Sequence, residues 1–115
     1  MIIGIGVDIV EISRIQKAIE RWGDGFLTHV FTTEEIAWAK RHKFPYPHYA
    51  GRFAAKEAIF KALGRKEIVW TDLNILGTAQ GKPYCQCLKK NVPGRILLTI
   101  SHSKEYAVAQ AIVEE

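Results

Sequence analysis

The segment 48–63 constrains the fold more than any other part of this 115-residue chain. Its composition predicts a helix that ends at Gly64, and apolar residues occur on nearly all sides of that helix. Such a helix has to be buried, so the rest of the chain must fold around it. Because burying an ion is costly, any charged residue in the helix needs a partner or a ligand. Four charged residues lie in this segment: Arg52, Lys56, Glu57 and Lys61.

The chain before this helix begins with a predicted strand and a predicted amphipathic helix. Residues 2–10 are apolar and contain two glycines, which is typical of a buried strand. Ser13 and Gln16 form a capping-box pattern that predicts the start of the next helix, and Gly23 and Gly25 predict its end. The apolar face expected for this helix consists of Ile12, Ile15, Ile19 and Trp22.

The rest of the sequence predicts one more helix and a set of antiparallel strands. A second capping box, formed by Thr32 and Glu35, predicts a short helix that extends to about Lys43. This order of elements predicts an α+β fold, with helices packed on an antiparallel sheet in a single domain over residues 1–115. The expected strands cover residues 67–76 with a break near Asp72, 84–88, 96–101 and 106–113, with turns at 81–83, 91–94 and 102–105.

Composition and charge exclude some classes of protein and leave others open. The 48% apolar and 24% charged residues are typical of a folded globular protein and not of a disordered one. The apolar run 1–7 is too short to span a membrane, which needs ~20 residues, and no basic segment precedes it as in a signal peptide. The 16 basic and 12 acidic residues give a formal net charge of +4, which permits an acidic partner, an anionic ligand or nucleic acid.

Cys85 and Cys87 are the two cysteines of the chain. Their spacing predicts two residues on the same face of a strand. Two thiols could also form half of a structural zinc site, but unpaired strand cysteines in the reducing cytoplasm are the expected interpretation.

Several residues could carry chemistry, and each has a structural alternative. Asp8 ends an apolar strand that contains glycines, so it could bind a cation, or it could serve as a cap or in an ion pair. Glu57 and Lys61 are spaced for a helical ion pair, but together with Lys56 they could instead face an anionic ligand and its metal. The turn at 101–103 could bind a phosphate or be a plain turn.

The first helix carries a basic face formed by Arg14, Lys17 and Arg21. This face could be merely solvated, or it could bind an acidic partner. The net charge and the basic, aromatic segment 40–49 also allow a rival hypothesis, a small nucleic-acid-binding module. That hypothesis does not explain why acids lie in an apolar strand and a buried helix.

Five motifs occur in order along the chain: IGIGVDIVEISRI at 3–15, Phe31-Thr32 with Glu35, RFAAKEAIFKALG at 52–64, Gly81-Lys82-Pro83, and Ile100-Ser101-His102-Ser103 with Tyr106. Together they resemble the holo-acyl-carrier-protein synthases, the small bacterial class of 4′-phosphopantetheinyl transferases. The resemblance covers nearly the whole chain.

This resemblance implies a reaction in which coenzyme A donates its phosphopantetheine arm to a serine of an apo acyl carrier protein. It implies that Asp8 and Glu57 hold Mg²⁺ and that Lys61 reaches the same phosphates. Glu57 or a metal-bound water could act as the base. It further implies a cytoplasmic homotrimer with active sites at subunit interfaces, an acidic carrier protein on Arg14, Lys17 and Arg21, and no nucleic-acid or membrane partner. The residues expected to bind the coenzyme are Lys61, Gly64, Gly81, Lys82, Pro83, Ser101 and His102.

Overall fold

The structure, a computed structural model, describes residues 1–64, 67–89, 92 and 94–115. Four helices lie in the N-terminal half after one strand, and four strands follow them. The elements are β1 (Ile2–Glu11), α1 (Ile12–Trp22), α2 (Asp24–Val30), α3 (Thr33–Lys40), α4 (Tyr46–Leu63), a 3₁₀ turn (Trp70–Asp72), β2 (Leu73–Gly77), β3 (Pro83–Cys87), β4 (Arg95–His102) and β5 (Tyr106–Glu114).

The strands form a three-stranded antiparallel sheet in the order β1-β5-β4 and a separate β2-β3 hairpin. In the larger sheet, Ala109 of the central strand β5 pairs with Asp8 on one side and with Ile100 on the other. Helix α4 packs across this sheet. The predicted α+β class, with helices on an antiparallel sheet, is therefore confirmed.

Helix α4 is the centre of the core, as its sequence predicts. Four of its five alanines, Ala50, Ala54, Ala55 and Ala58, are fully buried, and so is Ile59. The inward face of β5 also consists of small residues, including Ala107 and Ala111, which lets the helix lie close to the sheet. Gly64 ends the helix in the left-handed conformation, with φ of 61°.

A buried ion pair joins α4 to α3 and to the β2-β3 hairpin. The ammonium of Lys56 lies 2.7 Å from Oε1 of Glu35, and neither side chain is exposed. Lys56 also donates to the carbonyls of Val30 and Trp70, while Glu35 accepts from the backbone N–H of Ile75. Every proton of the ammonium therefore has an acceptor, as a buried cation requires. Lys56 has a structural role, and the hypothesis that it faces a ligand is wrong.

The start of α1 differs from the prediction. The helix begins at Ile12, directly after β1, with Glu11 as N-cap and no side-chain capping bond. Ser13 therefore lies inside the first turn and does not cap it. The physical reason is that β1 pairs with β5 as far as Glu11, and the backbone N–H of Ile12 donates to the carbonyl of Glu105. The backbone itself therefore fixes the start of this helix.

Three further details of the N-terminal half correct the sequence analysis. Gly23, with φ of 55°, ends α1, but Gly25 lies within an unpredicted helix, α2. Trp22 is not part of the buried face of α1, because the helix extends past the core and leaves this side chain 63% exposed. Strand β1 is buried on one face only. Its outer face exposes Ile3, Ile5, Val7 and Ile9.

Other details of the fold agree with the prediction, except that the strand expected at 67–76 begins only at Leu73, after the 3₁₀ turn at Trp70–Asp72. The capping box of Thr32 and Glu35 is present at the start of α3, although this helix ends at Lys40. Cys85 and Cys87 are unpaired and lie on one half-buried face of β3. Two of the four residues of the turn expected at 91–94 lie outside the described residues. Within the described ranges, no helix is long and apolar enough to cross a membrane.

Candidate active site

Two glycines of β1 place Asp8 against α4. A Cβ atom on Gly4 would overlap the carbonyl oxygen of Ala62, and one on Gly6 would overlap the carbonyl oxygen of Ala58. Only glycine therefore allows the backbone of β1 to lie directly on this helix. Because alternate strand residues share a face, Asp8 follows the two glycines on the side that meets α4.

Asp8, Glu57 and Lys61 form one cluster where β1 meets the second half of α4. The ammonium of Lys61 lies 3.2 Å from Oδ1 of Asp8 and 2.9 Å from the carbonyl oxygen of Val7. The side chain of Asp8 is only 16% exposed, whereas that of Lys61 is 53% exposed. Among the described residues, the carboxylate paired with Lys61 is Asp8 and not Glu57, so the predicted helical ion pair is replaced by a pair between strand and helix.

The two carboxylates of this cluster repel each other. Partial burial and then the negative charge of Asp8 raise the pKa of Glu57, while Lys61 lowers it. Two acids held together in this way can bind a cation, because a cation removes the cause of the repulsion. No group of three or more His, Cys, Asp or Glu among the described residues could hold a metal by itself. The cluster therefore suits an ion that takes few protein carboxylates and completes its shell with water and phosphate oxygens, as Mg²⁺ does.

A second feature, a cavity of about 760 Å³, lies near the first half of α4. Helix α3, the start of α4, the β2-β3 hairpin and the end of β4 form its walls. Three residues expected to bind the coenzyme line it: Gly81, Pro83 and His102. Lys82 and Ser101 are exposed neighbours of these residues in the chain, but they do not line the cavity. Lys61 and Gly64 lie at the other end of α4, outside it.

Three charged residues of the cavity wall, Arg52, Glu34 and Arg41, were not predicted as site residues, and Arg52 is the buried one. Its guanidinium carbon lies 3.6 Å from the ring centroid of Trp38, and the residue is 8% exposed. Its Nε is buried without a hydrogen-bond partner among the described residues. Burial lowers the pKa of Arg52 to about 10, although Glu35 raises it. A buried guanidinium with an unused donor, stacked on an indole, is suited to an anionic ligand that carries a ring.

The cavity and the carboxylate cluster occupy different parts of one chain. Arg52 and Lys61 are nine residues apart on α4, which is roughly 13 Å along the helix axis. The helix crosses the sheet between them: Gly51 faces Ile100 of β4, whereas Ala58 faces Gly6 of β1. The predicted site residues therefore fall into two groups within one chain.

The basic face of α1 is separate from both groups. Arg14, Lys17 and Arg21 are exposed, as predicted. The guanidinium of Arg21 lies 4.9 Å from the ring centroid of the exposed Trp22. This end of the helix therefore combines positive charge with a large apolar surface.

Comparison with known proteins identifies the family. A family model described as the 4′-phosphopantetheinyl transferase superfamily matches residues 4–111. The chain belongs to this superfamily. A superfamily member named holo-[acyl-carrier-protein] synthase, from Protochlamydia amoebophila, is 44% identical over 119 residues, which cover 97% of this chain and 98% of that protein. The resemblance found in the five motifs is thereby confirmed.

Solved structures of similar transferases share the whole fold. A holo-(acyl-carrier-protein) synthase from Bacillus anthracis, in complex with CoA (3′,5′-ADP), superposes with a TM-score of 0.86 at 39% identity and covers 99% of this chain and 97% of that chain. The Helicobacter pylori enzyme in complex with coenzyme A gives a TM-score of 0.87 at 32% identity, over 96% of this chain and 99% of that chain. The similarity extends over almost the full length of each chain.

Proposed function

We propose that this transferase moves the 4′-phosphopantetheine group of coenzyme A onto a serine of an apo acyl carrier protein and releases adenosine 3′,5′-bisphosphate. The observation that carries this proposal is the pair of Asp8 and Glu57, held together on β1 and α4 in a chain of this superfamily. Phosphoryl transfer needs little covalent chemistry from the protein, so positioned charges are sufficient. The nucleic-acid alternative is not favoured, because it gives no role to the two carboxylates and the matched family is a transferase family.

The carboxylates of Asp8 and Glu57 would hold Mg²⁺, the ion that the donor set fits. When bound, Mg²⁺ neutralises charge on the pyrophosphate of coenzyme A and on the leaving bisphosphate. Lys61 supplies a positive charge from the protein itself, and its bond to the carbonyl of Val7 directs the ammonium toward Asp8. The serine hydroxyl must lose a proton when it attacks phosphorus. The carboxylate of Glu57, or a water held at the metal, would accept that proton.

The cavity beside Arg52 would bind the adenosine bisphosphate part of the coenzyme. Trp38 offers a ring surface, and Arg52 and His102, which both line the cavity, offer donors for phosphate oxygens. Gly81 and Pro83 would complete this wall, while Lys82 and Ser101 would contact the ligand from outside it. Gly64 and Lys61 would contact the pyrophosphate at the metal.

A homotrimer would bring the two groups together, since the carboxylate cluster of one copy could then meet the cavity of its neighbour. The separation of the two groups along α4 supports this arrangement. The exposed apolar residues Ile5, Val7 and Ile9 on the outer face of β1 offer a surface that another copy could cover. The two unpaired cysteines are compatible with a cytoplasmic location.

The partner surface is testable by charge reversal. We expect Arg21→Glu to lower kcat/KM for the carrier protein by roughly tenfold at low ionic strength, because it places a negative charge against an acidic partner. The KM for coenzyme A should not change. Steady-state kinetics with each substrate varied would measure both effects, and the defect should shrink as salt is added. Arg14→Glu should behave in the same way.

Arg95→Glu is the matched control, since Arg95 is exposed at the end of β4 that is far from His102. This variant should retain both kinetic constants. A defect in Arg21→Glu that is confined to coenzyme A would contradict the placement of the carrier protein on α1.

Intact-mass spectrometry would test the proposed reaction directly. Apo acyl carrier protein incubated with this transferase, coenzyme A and Mg²⁺ should gain the mass of one phosphopantetheine group, and a chelator should prevent the gain. If no gain occurs while a competent control enzyme modifies the same carrier, coenzyme A binding should be measured next. Intact binding would indicate the wrong carrier protein, whereas absent binding would overturn the proposed function.

A further inference from the structure

Three of the four histidines of the chain form one cluster, and two of them, His48 and His102, line the cavity. The ring centroids of His42 and His48 are 3.7 Å apart, and those of His48 and His102 are 6.1 Å apart. Trp38 packs against the first two rings, at centroid distances of 4.6 and 4.9 Å. His42 lies in the loop before α4, His48 in α4, His102 in β4 and Trp38 in α3. Because these elements are distant in the sequence, only the fold brings the four residues together.

His48 lies in the middle of this group and is surrounded mainly by positive or potentially positive side chains. Its pKa is lowered to about 4, first by burial and then by the charges of His42, Arg52 and His102. The site therefore opposes a charge on His48 when no ligand is bound. The titratable and charged groups that line the cavity around His48 are Glu34, Arg41, Arg52, Tyr84 and His102, and His42 packs against the ring of His48.

Among these groups, Glu34 is the one carboxylate that lines the cavity in the described part of the chain, and it accepts a bond from the amide of Asn74. Glu35 is buried behind the wall and is paired with Lys56. The cavity therefore has an excess of positive groups over carboxylates. A phosphate that enters it would supply the counter-charge that His48 lacks.

We propose that His48 binds the anionic part of coenzyme A in its protonated form, so that the ligand and a proton enter the cavity together. This inference rests on the proposed function, since it takes the coenzyme as the ligand of the cavity. His48 is thereby assigned to coenzyme binding, a role that no sequence motif indicated.

Linkage fixes the direction of the pH dependence. If the bound anion raises the pKa of His48, then protonation of His48 must raise the affinity for the anion by the same factor. The affinity for coenzyme A should therefore increase as the pH falls through the range between the pKa of His48 in the complex and its pKa in the free protein. For one linked proton the increase is at most about tenfold per pH unit. Protonation of the ligand has the opposite effect on affinity, because a cationic site binds the dianion of a phosphate monoester more tightly than the monoanion. The second pKa of such a phosphate is about 6.

Calorimetry of coenzyme A binding would test this inference. Titrations at pH 5.5 in two buffers of different ionisation enthalpy, with Mg²⁺ held constant, give the number of protons taken up. Wild type should take up about half to one proton more than His48→Phe, which keeps a ring in the stack but cannot titrate. The matched control is His29→Gln, because His29 is exposed on α2 and lies outside the cavity. It should bind and take up protons as wild type does.

Equal proton uptake by wild type and His48→Phe would overturn the role of His48 while leaving the coenzyme site intact. Absence of any binding to wild type would instead overturn the proposed function, and this inference with it. If His48→Phe does not fold, the imidazole resonances of wild type give the answer. The pKa of His48 should rise when coenzyme A is added, and an unchanged pKa would contradict the proposal.

Discussion

Asp8→Asn is expected to lower the rate of phosphopantetheine transfer by about 10²- to 10³-fold, which is the usual effect of removing one preorganised electrostatic group. The amide keeps the shape of the carboxylate but removes the negative charge beside Glu57. The intact-mass assay, followed over time, would measure the loss. Glu57→Gln should cause a loss of similar size.

A second measurement separates loss of the cation site from loss of the fold. Mg²⁺ should raise the Tm of wild type and should not raise that of Asp8→Asn, because binding to the native state alone stabilises it. Without Mg²⁺ the variant should melt close to wild type, since the substitution removes the repulsion that raises the pKa of Glu57. The stabilisation of wild type by Mg²⁺ should grow with pH through the range in which Glu57 ionises, because cation and proton compete for that carboxylate.

Asp24→Asn provides the control, since Asp24 is an exposed acid at the start of α2. Its rate and its response to Mg²⁺ should match those of wild type. Full activity in Asp8→Asn, or an unchanged shift of its Tm by Mg²⁺, would remove Asp8 from the cation site.

Local sequence patterns predicted the helices and strands of this fold more accurately than the contacts between them. The alanines and the terminal Gly64 predicted α4 because helix packing and termination depend on neighbouring residues. The glycines of β1 indicated a close approach, but the carbonyls of Ala58 and Ala62 that they approach are more than 50 residues away in the chain. The predicted N-cap at Ser13 was wrong for the same reason, because a bond to Glu105 fixes that helix start.

The two parts of the candidate site differ in how far they could be predicted. Asp8, Glu57 and Lys61 lie in motifs, so the resemblance named them. In the cavity, the resemblance named Gly81, Pro83 and His102 but not His48 or Arg52, and His102 meets these two residues of α4 only because the helix crosses from one edge of the sheet toward the other. A charged residue inside an apolar helix was the one available signal for Arg52, and Lys56 gave the same signal although its role is structural. Sequence spacing cannot distinguish the two cases, because the partner of each lies on another element.

Lys56→Met is expected to lower the free energy of unfolding by about 3–5 kcal/mol, the range found when one partner of a buried ion pair is removed. Methionine fills most of the space, but Glu35 then lies buried without the cation to which it is bonded. Chemical denaturation followed by circular dichroism would measure the loss. Adding Glu35→Gln to Lys56→Met should recover part of it, because the remaining partner is then neutral. If the single variant is as stable as wild type, the pair does not hold α3 and the hairpin to α4.

Lys61→Met is the matched comparison, since the two lysines are five residues apart on the same helix and receive the same substitution. Lys61 is half exposed, so its loss should change stability by less than about 1 kcal/mol, while transfer activity falls because a positive charge is lost from the phosphate site. In Lys56→Met the order is reversed: stability falls most, and coenzyme affinity falls as a consequence, because Glu35 anchors α3 and β2, which form walls of the cavity. A loss mainly of stability in Lys56→Met and mainly of activity in Lys61→Met would show that Lys56 holds the site together and that Lys61 acts in it.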